Sequence, residues 1–466
     1  MLANLLGMQG FRVTVLERET AVRNLPRAVH FDGEIMRLLQ TAGLADAMLP
    51  LLRVSPGTKF VDSAGRLLLE WPRPAHVAAQ GWHAAYRFHQ PDLEQVLCDG
   101  LRRWPDVTLQ RRADVIALER GADTVDLLYK DLANGEIRHL SARFAVGCDG
   151  AQSFVRHVLG GEMEDLGFDE RWLAVDVRLR RPRPDLGDDS VQYCDGRRPA
   201  TYICGTGDRR RWEIALLPGE DSDSMTRPDS VLRLLKRWVA PAEIEIERAA
   251  VYTFRAAIAS RWRLGKLLIA GDAAHLTPPF LGQGLCAGLR DVANLAWKLG
   301  RVLRGQDGAS LLDTYHSERE PHVREYIELA VRLGGLINAT APDAMLNGAA
   351  PARMDSIEPR LGPGLCGGLP EPRGRMAPQP SGCAGGGLDD RIGYRFAAVM
   401  RSDVASRLPD ELWAMLKARD VAVMMDAAYG PWLERLGAEA VLVRPDRYVF
   451  GAAHDADEMR ALVAAL

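Results

Sequence analysis

Residues 267–289 read LLIAGDAAHLTPPFLGQGLCAGL, and this stretch decides the fold. The apolar run 267–270 (LLIA), closed by a glycine, reads as a buried strand. Asp272 follows at its carboxyl end, the place where ligands bind in open α/β sheets. Pro278 and Pro279 stiffen the next loop, and Gly282 and Gly284 let the backbone come close to a flat ligand. An amphipathic run, LCAGLRDVANLAWKLGRVL, then predicts a long helix whose exposed first N–H groups favour negative charge. A plain strand-turn-helix crossover is the competing reading, and the density of Gly and Pro at the turn speaks against it.

The amino terminus, MLANLLGMQGFRVTVLERE, reads as the second half of a nucleotide-binding unit. Leu2, Leu5, Leu6 and Met8 form a helical apolar stripe, Gly10 ends the helix, and Val13 and Val15 alternate as a strand. Glu17 ends that strand, where a dinucleotide-binding unit carries the acidic residue for the ribose hydroxyls, roughly 20 residues after a Gly-rich turn. No such turn precedes Glu17 in these residues.

A chain of 466 residues predicts two or three domains. A formal net charge of −3 argues against a dedicated nucleic-acid or anionic-membrane binder, and Arg209, Arg210 and Arg211 read as solvated loop charge. The seven cysteines (98, 148, 194, 204, 286, 366 and 383) show no CxxC and no metal-ligand spacing, which predicts no metal site and a reducing, cytoplasmic setting. No apolar run reaches membrane-spanning length, and no signal-peptide pattern opens the chain.

Along the chain, residues 1–165 alternate helix and strand. KFVDSAGRLLLEW predicts a hairpin, HQPDLEQVLCDGLRRW a helix opened by Pro91 and Asp92, and Asn134-Gly135 a second hairpin. Residues 166–252 (WLAVDVRLRR, SVQYC, ATYICG, RWEIALLPG) predict an antiparallel sheet with one covered face, with a helix at RPDSVLRLLKRWV. Residues 253–340 return to α/β, and the final helix there is expected to break at Pro321. The Gly/Pro-rich residues 341–390 read as an extended linker, and 391–466 as a small third domain of alternating strands and helices.

With VGCDGAQSFVRHVLG added, the chain resembles the class A flavoprotein aromatic hydroxylases, the p-hydroxybenzoate hydroxylase superfamily, and most of all its 3-(3-hydroxyphenyl)propionate hydroxylase group. The likeness runs through VTVLERE, PRAVHFDGEIMRLL, HQPDLEQVL, CDGAQSFVR, GDAAHLTPPFLGQG and VLVRPDRYVFGA. It implies an α/β and α+β fold. A Rossmann-like FAD-binding domain would lack its first strand and Gly-rich turn, with an inserted antiparallel-sheet substrate domain and a carboxyl-terminal thioredoxin-like domain without CxxC. The chain is then expected to be a shortened version of a longer enzyme.

The resemblance also implies a site. Glu17, with Arg18, would take the adenosine ribose; Arg27 the nucleotide ribose or pyrophosphate; Gln90 the phosphate or ribityl region. Asp149 and Gly150, with Arg156 nearby, would hold FAD and the passing nicotinamide nucleotide. Gly271 and Asp272 would meet the ribityl chain, while Pro278, Gly282 and the amides of Gly284 and Leu285 would face the flavin. Taken singly, Arg27 and Arg156 also read as surface charge, Gln90 as a helix cap and Asp149 as a turn cap.

The activity implied is hydroxylation of a phenolic aromatic with NADH or NADPH and O2, through a flavin C4a-hydroperoxide, as in aromatic catabolism. A homodimer without membrane or nucleic-acid partners is expected. The catalytic base stays open among His275, Tyr193 and Tyr202, with Trp212 beside them; each reads equally as core or as a held turn residue. Arg178, Arg180 and Arg255 are alternatives for a substrate carboxylate. Two other readings remain: a flavin oxygenase of a polyketide or ketone, and an FAD-free binding or assembly protein.

Overall fold

In the computed structural model, residues 1–22, 27–338, 352–354, 357, 360–365, 371–380 and 387–466 are described. The first helix, Leu2–Met8, buries Leu5 and Leu6, and Gly10 turns the chain at φ +79° into the strand Val13–Glu17. That strand pairs in parallel with Val107–Arg111, behind the helix Gln90–Leu101 with its early proline. A second parallel pair joins Ala145–Gly147 to the fully buried Leu267–Ile269. The two motif-bearing turns, more than a hundred residues apart in sequence, therefore leave neighbouring strands in the same direction. Asn134-Gly135 closes the expected hairpin, with Gly135 at φ +81° and Asn134 Oδ1 accepting from Glu136 N at 3.0 Å.

A nine-stranded sheet forms the second layer. Its inner strands run Ile244–Ala259, Met163–Leu179, Arg209–Ala215, Ala200–Cys204 and Ser190–Cys194, antiparallel throughout. The hairpin Gly57–Asp62 and Leu67–Pro72 extends it, pairing in parallel with Ser190–Cys194. Period-two alternation splits the sheet's chemistry. Leu173, Val175, Val177, Tyr202 and Trp212 pack with Val231 and Leu235 of the helix Pro228–Leu235. The opposite face turns Trp172 toward the loop after Leu267–Ile269, where its ring lies 5.5 Å from that of Phe280.

Two expectations are overturned. The helix Asp313–Ile337 runs unbroken through Pro321. The missing N–H of Pro321 takes the helical donor from the carbonyl of Ser317, and Gly362 packs against that same turn, its N–H donating to the next carbonyl, that of Glu318, at 2.8 Å. Arg211 is not solvated loop charge: it lies on the strand Arg209–Ala215, 3% exposed, with Nε 2.7 Å and Nη2 3.1 Å from the Asp176 carboxylate. A strand points alternate residues inward whatever their charge, and a bidentate carboxylate makes burial of that one tolerable.

The carboxyl-terminal unit is thioredoxin-like, with strand order Ala422–Met424, Ala397–Met400, Ala440–Val443, Val449–Ala453; the first pair is parallel and the others antiparallel. It docks through buried charge. Glu318 takes Arg444 and Lys298, while Asp389 takes Arg37 and Arg447. Among the described residues no helix is long and apolar enough to cross a membrane.

Candidate cofactor and substrate site

The turn after Leu267–Ile269 is held from beneath by one carboxylate. Asp291, fully buried on the helix Gly284–Leu303, accepts from Gly271 N at 3.0 Å, pairs with His275 Nε2 at 2.7 Å and accepts from Arg319 Nε at 3.0 Å. Those donors hold the Asp291 carboxyl below its usual range against the desolvation that would raise it. His275 is consequently locked in the core, 1% exposed, its ring tilted against that of Trp262 at 5.4 Å. Asp272, one residue beyond Gly271, is exposed, and no described residue bonds its carboxylate.

The loop then approaches the helix start. Gly282 sits at φ +65°, and a Cβ there would lie 2.8 Å from His30 Nδ1, so only glycine fits. Gln283 precedes the helix Gly284–Leu303 but does not cap it. Its amide is spent on Asp32 at 3.3 Å and Arg290 at 2.9 Å. The amides of Gly284 and Leu285 make no hydrogen bond among the described residues, and a Cβ on Gly284 would meet only Thr277 at 4.0 Å. Open amides at a helix start beside an uncommitted carboxylate form a cradle for a flat ligand that both donates hydrogen bonds and gains negative charge. An isoalloxazine with its ribityl chain fits that donor and acceptor set.

Other expected residues divide into free and committed groups. Arg27 is exposed, while its backbone N–H and that of Ala28 donate to Gln90 Oε1 at 2.7 and 2.8 Å. Gln90, 8% exposed, therefore places the Arg27 loop, and its Nε2 donates to Glu94 at 2.7 Å. Glu17 Oε1 accepts from Glu19 N at 2.8 Å, and Arg18 points to solvent. Asp149, beside Gly150 at φ +81°, accepts from Ser153 Oγ at 2.5 Å and Val155 N at 3.0 Å. Arg156 donates to Ala273 O at 2.9 Å and Ala151 O at 2.8 Å, tying the two motif turns together. Pro278 is buried and Leu285 half-buried at the same loop.

On the sheet, Tyr202 lies against Trp212 at 5.2 Å and donates to Gly187 O at 3.2 Å, on the face covered by the helix Pro228–Leu235. Tyr193 shares that face, 5.2 Å from Trp238, and burial pushes both phenols up. Arg178 pairs with Glu247 and Asp208, Arg180 bonds Ile244 O, and Arg255 pairs with Asp169 near solvent. The opposite, cofactor-facing side carries Asp176, Ser190, Gln192, Thr201, Arg211 and Glu213, all buried. Between it and the Arg27 loop lies a narrow hollow, lined by Val29, His89, Asp176, Ile203 and Arg211 among others. Sequence reasoning missed this set, although polar residues alternating with Val175, Val177, Trp212 and Ile214 were its signal.

A cofactor cradle at a strand end, facing the buried polar side of a separate sheet, defines an oxidoreductase that brings a nucleotide cofactor to an enclosed substrate. Residues 1–330 match the model of the FAD binding domain family, and the chain belongs to that family. It is 37% identical to a probable NADH-specific resorcinol 4-hydroxylase of Rhodococcus jostii (strain RHA1), over 99% of this chain and 91% of that protein. It is 34% identical to a 3-(3-hydroxy-phenyl)propionate/3-hydroxycinnamic acid hydroxylase of Burkholderia cenocepacia (strain HI2424), over 100% and 93%. Its fold matches the flavin-dependent monooxygenase PieE in complex with FAD and substrate, with a TM-score of 0.84 at 20% identity over 100% of this chain and 95% of that one. The aklavinone-11 hydroxylase complex gives 0.79 at 23% identity, over 100% and 96%. The chain is an enzyme of the FAD-dependent aromatic hydroxylase class, and FAD is its cofactor.

Proposed function

We propose that this protein is an NAD(P)H-dependent FAD monooxygenase that hydroxylates a phenolic aromatic of the 3-(3-hydroxyphenyl)propionate or resorcinol type with O2. The observation that carries this reading is the loop 271–285, where an uncommitted Asp272 and the open amides of Gly284 and Leu285 stand over the buried polar side of the sheet. When bound, FAD supplies the electron transfer from the nicotinamide and the activation of oxygen. Asp272 accepts from the ribityl hydroxyls, and the Gly284 and Leu285 amides stabilise negative charge at the pyrimidine edge. Arg27 pairs with phosphate or ribose oxygens, Glu17 accepts from ribose hydroxyls, and Arg18 stands at the rim. Asp149 caps its own turn, and Arg156 ties that turn to the one at Ala273. Trp172, Phe168 and Phe280, packed ring to ring, form an apolar cluster at the cofactor loop that would help exclude water there.

Residues 1–165 and 253–340 build the cofactor domain in this reading, 166–252 most of the substrate sheet and 391–466 the docked unit, while the expected linker 341–390 lies partly outside the described residues. A reducing cytoplasm suits the free thiols of Cys98, Cys148, Cys194, Cys204 and Cys286. The test starts with the visible spectrum of purified protein before and after FAD addition, which should show flavin bands. NADH oxidation should then depend on a phenol and yield a hydroxylated product. A colourless protein that stays apo, or NADH consumption indifferent to every phenol, refutes the proposal.

A further inference from the structure

Arg87 closes the strand Ala85–Arg87 on the cofactor side and reaches across to the Ser190 hydroxyl on the polar side of the sheet. It is 7% exposed, and its Nε is buried with no hydrogen-bond partner. Asp189 and Glu213 act on it only at a distance, and no described carboxylate is in hydrogen-bond or ion-pair contact with it. The nearby pair Arg211 and Arg248 behaves differently, since both share the Asp176 carboxylate. Arg73, stacked 3.8 Å over the Trp71 ring, adds a second guanidinium beside Arg87. Desolvation pulls both arginines down to about 10, and for Arg87 no described carboxylate is in contact to offset it.

The place of this charge relative to the cofactor loop is set by His30. It stands directly across from Arg87 in the antiparallel pairing of His30–Asp32 with Ala85–Arg87, and its Nδ1 lies 3.3 Å from the Gly282 carbonyl. A carbonyl only accepts, so Nδ1 carries the proton and Nε2 the lone pair. Burial and the two arginines hold His30 neutral, down to about 3, so it contributes no charge. Arg87 thus bonds Ser190 of the substrate sheet and stands in backbone register with His30, whose ring touches the loop that meets the flavin.

We propose that Arg87, supported by Arg73, is the anion subsite of the substrate pocket and binds the side-chain carboxylate of a phenolic acid. This rests on the hydroxylase reading and narrows it: the enzyme selects aromatic acids over neutral phenols. The planar fork of a guanidinium matches a carboxylate edge, and Arg87 still has its Nε to give. A carboxylate also supplies the charge that the buried cation lacks.

The experiment compares wild type, Arg87→Lys and Arg87→Met, each loaded with FAD, against 3-(3-hydroxyphenyl)propionate, its neutral amide and resorcinol. Binding is read from the flavin absorbance change without reductant, and kcat/KM from product formation. Wild type should bind the acid at least about 10-fold tighter than the amide. Arg87→Met should weaken the acid by about 30-fold, the scale of a lost charge-assisted contact, and resorcinol by less than about 3-fold. Arg87→Lys should recover part of the loss. Without ligand, Arg87→Met should melt at or above the wild-type temperature, because a buried uncompensated charge has been removed.

Equal binding of acid and amide by wild type overturns the proposal. So does equal weakening of acid and resorcinol in Arg87→Met, or marked destabilisation that shows Arg87 to be only a structural bridge to Ser190. If no phenol of any kind is turned over, the hydroxylase reading falls instead, while the binding comparison still judges Arg87 by itself.

Discussion

Replacing Glu318 by Gln removes one negative charge from a carboxylate that accepts five hydrogen bonds among the described residues. Glu318 is fully buried and accepts from Arg444 at 3.0 and 2.8 Å, Lys298 at 2.7 Å, Asn294 at 2.8 Å and Leu365 N at 3.0 Å. It joins the helix Asp313–Ile337 to the helix Gly284–Leu303 and to the thioredoxin-like unit in one contact. Burial raises its pKa, but Arg444 and Lys298 outweigh that and hold the carboxyl far below its ordinary 4.5. Breaking such a pair costs about 3–5 kcal/mol, because the partner cations stay buried. Lys298, already drawn down to about 8 by burial, can shed its proton when Glu318 is neutralised, which sets the expectation at about 3 kcal/mol. With a urea slope of about 1–3 kcal/mol per molar, the unfolding midpoint should fall by about 1–3 M. The assay is urea unfolding at pH 7 followed by tryptophan fluorescence, with Trp297 reporting the junction through its bond to Asp446. The pH dependence follows from the sign of the shift. A depressed carboxylate stabilises the fold above 4.5, and that contribution is lost as pH falls toward its folded value, so wild type and variant should converge below about pH 4.5. A midpoint shift under about 0.3 M at pH 7, or a gap that persists undiminished into acid, refutes the reasoning.

Tyr448→Phe should raise the FAD dissociation constant by about 3–10-fold in a fluorescence-quenching titration, a fraction of the energy of one bond to a charged group. The Tyr448 hydroxyl donates to Glu34 at 2.9 Å, Glu34 accepts from Arg290 at 2.6 Å, and Arg290 holds Gln283 at 2.9 Å, so the docked unit steadies the loop that meets the flavin; an unchanged constant would break that link. Gly282→Ala should destabilise the protein by about 1–3 kcal/mol and weaken FAD binding, since φ +65° and the His30 ring both oppose a Cβ; a wild-type melting curve would count against this placement of the loop.

Local pattern determined much of this protein. The run 267–270, the turn at Asp272, the helix after Gly282 and the hairpin at Asn134-Gly135 are all legible because period, breakers and turn chemistry act within a few residues. The strand and helix succession of the thioredoxin-like unit is legible for the same reason. What neighbours decide was not. Pro321 reads as a break until Gly362 is packed against its turn, with its N–H on the carbonyl of Glu318. Arg211 reads as loop charge until the strand Met163–Leu179 places Asp176 across from it. The sequence could not say which side of the strand Arg209–Ala215 would face the cofactor, because alternation separates two faces without assigning a partner to either. Only the packing of the helix Pro228–Leu235 over Tyr202 and Trp212 committed that face to core. It left Asp176, Arg211 and Glu213 on the inner face, where burial strengthens the pull of every charge.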